Sequence, residues 1–351
     1  MNLKAITLIF AALTLQYFAT QACTTFTFKT PDGQIIYGRN FDFPSGLGHV
    51  HLNYRGVEKF SFVAPPEKPT SWISKYGSVT FNQNGRELPY GGMNEAGLII
   101  EQMFHQEAKY PEPDSRAGLT ELQWIQYQLD NCATVDEVLK TDAFLRISKN
   151  SVATLHFLVA DAQGNSAVVE YIDGAMRTYS GSALPYSALA NCSYETSLDY
   201  VEKKTANPAQ AFAGWTENSS GRFKTAAEMI EKVKSVVNNP VEYAFEILTA
   251  VSQTPGTQWS IVYDITNKTI EYKTAKNGTK RQIQFSELDF KCRPQRYFVD
   301  IDNSNTTFVE FSKQANYALI DEVCNTVEFL RQIPPAHRMA TSEFPEKFGC
   351  N

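Results

Sequence analysis

The chain has 351 residues, 43% of them apolar, with 32 Lys and Arg against 38 Asp and Glu and a formal net charge of −6. That length can bury a substantial core. A mildly acidic chain without Lys/Arg clusters lacks the electrostatic footprint of a nucleic-acid binder and gives no basis for attraction to anionic lipid.

In chain order, residues 1–22 read as a secretory leader: Lys4 is the basic start, Ala5 to Leu15 the apolar stretch, and Ala22 the small residue at the proposed cut. The apolar stretch is too short to span a bilayer comfortably, and no later segment approaches about 18 uninterrupted apolar residues. The expectation is an exported protein, periplasmic or secreted, with no integral membrane segment once the leader is gone. Next, "CTTFTFK" and "QIIYGRNFDF" flank the turn Pro31-Asp32-Gly33 and read as a hairpin with Cys23 at its very start. Two helices follow, opened by Thr120 with Gln123 and by Thr134 with Glu137 in capping-box spacing. A second hairpin spans Val152 to Gly174, turning at Ala162 to Asn165. A pair of helices at "KTAAEMIEKVKSVV" and "EYAFEILTAVSQ" precedes a third hairpin, Gln258 to Thr274, turning at Thr266 to Lys268, and "ANYALIDEVCNTVEFLRQI", near the C-terminus, reads as a further helix. Hairpins alternating with helix pairs define an α+β protein with antiparallel sheets. No repeat or linker divides the chain, so residues 23–351 are expected to form one domain.

The six cysteines, Cys23, Cys132, Cys192, Cys292, Cys324 and Cys350, include no C-x-x-C pair, which excludes a zinc ribbon or thioredoxin motif on spacing. If Cys23 stays free, at least one more cysteine is unpaired, and the pairing of the others is open. His49-x-His51 lacks an evident third ligand and reads as a pair of solvated strand histidines, while His156, inside an apolar strand, reads as a satisfied core histidine. The aromatic stretch Lys59 to Val79 fits either a pocket wall or ordinary core.

Cys23 has three readings: a buried or disulfide-bonded strand cysteine, a lipid attachment point behind a leader, or a catalytic chain terminus. The lipid reading expects an apolar residue three positions earlier, where Thr20 stands. The terminal reading has a chemical logic. Cleavage after Ala22 puts a thiol and an α-amine on one residue. The amine, with a pKa of about 7.7–8.0, accepts a proton near neutrality, and the thiol is the most nucleophilic neutral side chain.

Cys23-Thr-Thr-Phe, "YGRNFDF", "GGMNEAGL" and "LHFLVADAQGNSAVVEY", in that order and spacing, resemble the choloylglycine hydrolase and penicillin V acylase family of N-terminal-nucleophile amidohydrolases. The resemblance runs from Cys23 to about Thr274. It implies a four-layer αββα sandwich, a linear amide C–N hydrolase with Cys23 as nucleophile, and a homo-oligomer, a tetramer by family resemblance. It also implies a small-molecule N-acyl amide as partner, with no metal or organic cofactor. Arg39 matches the arginine beside the thiol, whose fixed charge favours the thiolate. Asp42 matches the aspartate that orients the terminal amine. Asn191 matches the oxyanion asparagine, although Cys192 after it departs from the family pattern. The sequon formed by Asn191, Cys192 and Ser193 is then coincidental. Arg222, in "SGRF", matches a supporting arginine, and Asn94 a turn-fixing asparagine. The second oxyanion donor implied is the backbone N–H of Phe104, where relatives carry Asn or Tyr.

The resemblance admits conjugated bile salts, penicillin V or N-acyl homoserine lactones as substrates, and Phe104 shifts the preference toward an apolar acyl group with a variable amine. The alternative of another class is an exported binding protein, with or without a lipid anchor, on an inactive hydrolase scaffold.

Overall fold

A computed structural model of the chain describes residues 23–202, 214–233 and 238–351. The expected leader and its cut after Ala22 lie outside the described residues, as does the end of the helix expected through residue 237. Among the described residues twenty strands form. The first eight are β1 (Thr24–Lys29), β2 (Ile35–Asp42), β3 (His49–Asn53), β4 (Val57–Phe60), β5 (Ser71–Ile73), β6 (Ser78–Asn82), β7 (Pro89–Asn94) and β8 (Ile99–Phe104). After β9 (Ala117–Leu119) come helices α1 (Glu121–Asn131) and α2 (Val135–Lys140), then β10 (Leu145–Ile147), β11 (Leu155–Ala160), β12 (Ser166–Ile172), β13 (Ala175–Ser180) and β14 (Ala188–Leu189). Helices α3 (Tyr194–Glu202), α4 (Trp215–Lys232) and α5 (Pro240–Ala250) lead to β15 (Thr257–Asp264), β16 (Thr269–Thr274), β17 (Arg281–Gln284), β18 (Tyr297–Asp300) and β19 (Val309–Glu310). The chain ends with α6 (Lys313–Thr326), α7 (Pro335–Glu343) and β20 (Gly349–Cys350).

The three expected hairpins are β1–β2, β11–β12 and β15–β16, all antiparallel. They assort into two sheets: a six-stranded one in the order β14-β1-β2-β15-β16-β17 and a nine-stranded one in the order β13-β12-β11-β8-β7-β6-β3-β18-β19. A short β9–β10 pair is parallel. All eight residues of β2 are buried, which a strand achieves only when both of its faces are covered. Its alternation divides the labour. Tyr37 and Arg39 reach the nine-stranded sheet, bonding to the Leu158 carbonyl (3.0 Å) and to Glu101, whereas Asn40 reaches the other way to the Leu248 carbonyl of α5 (2.7 Å). Helices α4 and α5 cover the outer face of the six-stranded sheet and α1 that of the other. The layers are therefore helix, sheet, sheet, helix.

Local chemistry explains the helix ends only in part. Thr120 and Thr134 accept the N–H of Gln123 and Glu137, as the spacing predicts. The return half of the box differs. Gln123 turns its side chain to the Phe60 carbonyl and the Phe62 N–H, and Glu137 accepts from Ala133 rather than from Thr134. The helix expected near the C-terminus, α6, is shorter than its periodicity suggests. It stops at Thr326, Val327 is extended, and a 3₁₀ turn at Glu328–Leu330 redirects the chain.

His49 and His51 are not solvated. Both are buried on β3, because β6 and β18 flank that strand and the rings of Phe298 and Phe311 close over it. Burial pushes His49 down to about 4, so it is neutral at pH 7. Within the stretch Lys59 to Val79, Trp72 is buried and donates to Asp130 (2.7 Å), and Phe60 packs edge-on against Phe344 and Phe348, so these aromatics are core, while Phe62 and Ile73 are exposed.

One disulfide, Cys292–Cys350, closes across 58 residues and ties the C-terminal strand β20 beside β4. Cys23, Cys132, Cys192 and Cys324 are free thiols, all buried. Replacing Cys292 with Ser is expected to lower stability by about 2–4 kcal/mol. Urea unfolding of the oxidised wild type against the variant measures it; superimposable curves would show that the tether does not constrain the chain.

Candidate active site

The β1–β2 register, Thr24 opposite Asn40 and Thr25 opposite Arg39, places Cys23 diagonally from Arg39 on the face that looks at the second sheet. The contact follows from that geometry. Cys23 Sγ lies 3.9 Å from Arg39 Nη2 and 3.9 Å from the Asp42 carbonyl oxygen, and the thiol is buried. Burial pushes the thiol up from its ordinary value, and the Arg39 charge pulls against it.

Arg39 is itself fully buried and held from three sides. It donates to the Glu101 carboxylate, to the Tyr90 carbonyl (3.3 Å) and to the Gln102 carbonyl (3.1 Å), and Tyr263 donates to the other Glu101 oxygen. Burial disfavours the charge on Arg39, but Glu101, with Cys23 and Tyr263 behind it, outweighs that cost and raises the guanidinium pKa. Gly91, in the "GGMN" stretch, leaves room for this pair, since a Cβ there would run into the Glu101 carboxylate.

Asn191 and Arg222 arrive from far along the chain. Arg222 donates to the Cys23 carbonyl (2.6 Å), to the Thr24 hydroxyl and to Asn191 Oδ1 (3.0 Å). Its own brace is Asn218, one turn earlier on α4, whose Oδ1 lies 3.2 Å from Nε. With Oδ1 held by Arg222, the Asn191 amide has one orientation, and its Nδ2 donates to the Phe104 carbonyl (2.9 Å). Since the His105 N–H bonds the Thr154 carbonyl, the alternation of an antiparallel ladder directs the N–H and C=O of Phe104 away from β11. Asn191 is fully buried, which leaves the sequon at that position inaccessible in the fold.

The strand-to-helix segment that carries Asn191 is clamped at four backbone points. His156 Nε2 meets the Ala190 carbonyl (2.7 Å), and His156 Nδ1 meets Glu170 (3.0 Å), which also accepts the Tyr194 N–H (2.8 Å). Ser219 Oγ accepts the N–H groups of Asn191 (2.9 Å) and Cys192 (3.0 Å). His156 is thus the satisfied core histidine expected. Among the described residues, His105, His156 and Glu170 form the one group close enough to share a metal ion. The two imidazoles are stacked, with centroids 4.5 Å apart and planes 21° from parallel, so their in-plane lone pairs run side by side instead of converging. The group fits a positioning clamp better than a ligand set.

Asp42 is buried, and neither of its carboxylate oxygens has a hydrogen-bond partner among the described residues, although Arg222 and Thr257 lie close enough to favour its charge. Burial dominates and pushes it up to about 6. Asn94 holds the turn after β7 by accepting from Ala96 (3.0 Å) and Leu98 (2.9 Å).

Five of the six residues singled out in the sequence, Cys23, Arg39, Asn191, Arg222 and Phe104, join in one hydrogen-bonded network, and Asp42 adjoins it. Sequence reasoning missed Glu101, Tyr263, Ser219 and Glu170. Glu101 and Glu170 left a signal, each a lone carboxylate inside an apolar strand. Ser219 left a weaker one, three residues before Arg222 and so on the same helix face.

From Cys23 a cavity of about 420 Å³ opens, lined by Phe41, Tyr90, Phe104, Leu122 and Leu155 among others, with Asp42 and Glu121 as its acidic groups.

The architecture is that of known amidohydrolases. The structure of penicillin V acylase from Agrobacterium tumefaciens superposes with a TM-score of 0.69 at 26% identity, covering 83% of this chain and 98% of that one. A variant of conjugated bile acid hydrolase from Clostridium perfringens shares the fold, with a TM-score of 0.61 at 16% identity over 83% of this chain and 97% of its own. The sequence model of the linear amide C–N hydrolases, choloylglycine hydrolase family, matches residues 23–203, and the chain belongs to that family. The penicillin V acylase of Pectobacterium atrosepticum is 33% identical over 187 residues, which span 46% of this chain and 48% of that relative, about half its length.

Asp42 yields a pH signature for chain in which Cys23 is still joined to Ala22. Its folded value, about 6, exceeds the unfolded value of about 4, so the folded state holds the proton more tightly. The stability this contributes is present below pH 4 and lost as pH rises through 6, on the order of 3 kcal/mol. Unfolding free energies from pH 4 to 6.5 are expected to fall more steeply for wild type than for Asp42→Asn, and parallel profiles would show an unperturbed carboxyl.

Proposed function

We propose that the protein hydrolyses a linear amide bond in a small N-acyl amide whose acyl part is apolar, with Cys23 as the nucleophile. One observation carries the reading: the Cys23 thiol, beside a fixed guanidinium, opens directly into a largely apolar cavity. The names of the similar proteins, penicillin V acylase and conjugated bile acid hydrolase, support amides of this kind as substrates.

In the proposed reaction, export and removal of residues 1–22 make the Cys23 nitrogen a free amine. The orphaned Asp42 carboxylate supplies the acceptor that steadies it as it gains charge. The thiol proton passes to that amine, the sulfur attacks the amide carbonyl, and the guanidinium of Arg39 offsets the thiolate charge. The oxyanion is received by an N–H of Asn191 Nδ2 and by the Phe104 N–H, both fixed before substrate arrives. Collapse of the tetrahedral intermediate returns the proton to the leaving amine and leaves a thioester on Cys23. Water, deprotonated by the same α-amine, then releases the acid and restores the thiol. Arg222 acts by positioning: it ties the Cys23 carbonyl to the Asn191 side chain, so nucleophile and oxyanion donor move as a unit. Assembly into a homo-oligomer belongs to this proposal as well.

The test is a hydrolysis panel of penicillin V, N-acyl homoserine lactones, and glycine- and taurine-conjugated bile salts, on protein beginning at Cys23. Turnover of an apolar acyl amide is expected, with loss to background in Cys23→Ala. Turnover that survives that substitution, or that appears undiminished in protein retaining residues 1–22, would overturn the mechanism. Asn191→Ala is expected to lower kcat by about 10²–10³ while the protein remains folded, and an unchanged kcat would remove Asn191 from the oxyanion site.

A further inference from the structure

The cavity at Cys23 is closed on one side by residues far outside the stretch that the family model matches. Phe329, Leu330, Gln332 and Ile333 line it, and the match ends at residue 203. These four residues follow from the early end of α6. Had the helix continued, as its periodicity suggests, they would lie along its axis; the turn at Glu328–Leu330 instead brings them into the cavity lining.

The segment brings its own small core. Leu319, Ile320, Val323, Cys324, Val327 and Leu330 bury one another in a cluster separate from the main one. Phe43 packs against both clusters, with its ring 6.0 Å from that of Phe329 and edge-on to it. Phe43 directly follows Asp42 at the end of β2. The cap therefore meets the hydrolase body beside the candidate catalytic groups.

The lining also has a charge character. Among the described residues that line the cavity there is no Lys or Arg, and its acids are Asp42 and Glu121. Glu121 is buried and accepts the Ala153 N–H (3.1 Å). An acyl group ending in a carboxylate would be desolvated there beside two acids, with the nearest guanidiniums, Arg39 and Arg222, already bonded to Glu101 and Asn191, whereas a methyl or aryl end is matched by the walls.

We propose that this C-terminal cap, through Phe329 and Ile333, is the specificity-determining wall of the acyl site. It sets the greatest length of a neutral, unbranched or aryl-ended acyl chain and rejects carboxylate-ended ones. The inference rests on Cys23 as the nucleophile. Each methylene that enters the cavity adds about fourfold to kcat/KM until the chain meets the cap.

The experiment is a series of N-acyl homoserine lactones from butanoyl to dodecanoyl, with an adipoyl amide of the same amine, on wild type, Phe329→Ala, Ile333→Trp and Cys23→Ala. The readout is the ratio of kcat/KM for the decanoyl to the hexanoyl amide. It is expected to rise about tenfold in Phe329→Ala and to fall about tenfold in Ile333→Trp, with the adipoyl amide slower than the hexanoyl one throughout. Opposite shifts cannot come from simple destabilisation. Unchanged ratios with Cys23-dependent turnover, or an adipoyl amide that is preferred, would overturn the cap and leave the nucleophile standing. Absence of Cys23-dependent turnover across the series, with penicillin V still hydrolysed, would overturn the cap alone; absence on penicillin V and conjugated bile salts as well would overturn both.

Discussion

A guanidinium with no exposure to solvent has to be answered inside the protein, and Arg39 is answered by Glu101 across the gap between the two sheets. Neither charge would be tolerated alone in that position, because an unpaired buried ion costs several kcal/mol. The pair commits the sheets to one relative register: Arg39 comes from β2, Glu101 from β8, and Tyr263 from β15 secures the remaining carboxylate oxygen. Gly91 gives up a side chain to let the carboxylate in. With that much arranged around it, Arg39 presents Nη2 to the Cys23 sulfur as a fixed charge.

The second half of the site is built by different physics. The backbone flanking Asn191 is held by hydrogen bonds with His156, Glu170 and Ser219, and its side chain by one guanidinium donor, Arg222. Arg222 is buried, and burial lowers its pKa while Asp42 and Cys23 oppose the shift. Its bonds run to the backbone of Cys23 and the side chain of Thr24 as well as to Asn191. Cys23 and Asn191, more than 160 positions apart, are thereby joined through one planar group whose several donors have fixed directions.

Much of this was legible in the sequence. The hairpins announced themselves by alternation and by the turns at Gly33, Ala162–Asn165 and Thr266–Lys268, because period-2 patterning is a direct image of a sheet face. Cys23 was legible as a candidate from its chemistry and its place behind an apolar leader, whereas Arg39 and Asp42, on the same hairpin, were singled out by the family resemblance. Asn191 and Arg222 needed the family resemblance, since no local pattern marks a hydrogen bond between distant segments. The histidines of β3 were misread because a polar residue in an alternating strand is expected to face water, and the covering aromatics, Phe298 and Phe311, lie more than 240 residues on. The end of α6 at Thr326 was illegible for a related reason. Its apolar period runs on to Ile333, but the apolar residues beyond Val327 satisfy a cavity wall instead of a helix face.

Strand order has a consequence for how the molecule comes into being. In the six-stranded sheet β2 lies between β1 and β15, so its neighbour on one side is the adjacent hairpin arm and on the other a strand that begins at Thr257. As the chain is synthesised from its N-terminus, more than 200 residues emerge after β2 before that partner exists. Throughout that interval β2 is an open edge, rich in Ile, Tyr and Phe, with its ladder groups unpaired. The element that bears Arg39 and Asp42 is thus among the first to be made and among the last to be enclosed, and nascent chains shorter than about 264 residues present their stickiest strand to whatever surrounds them.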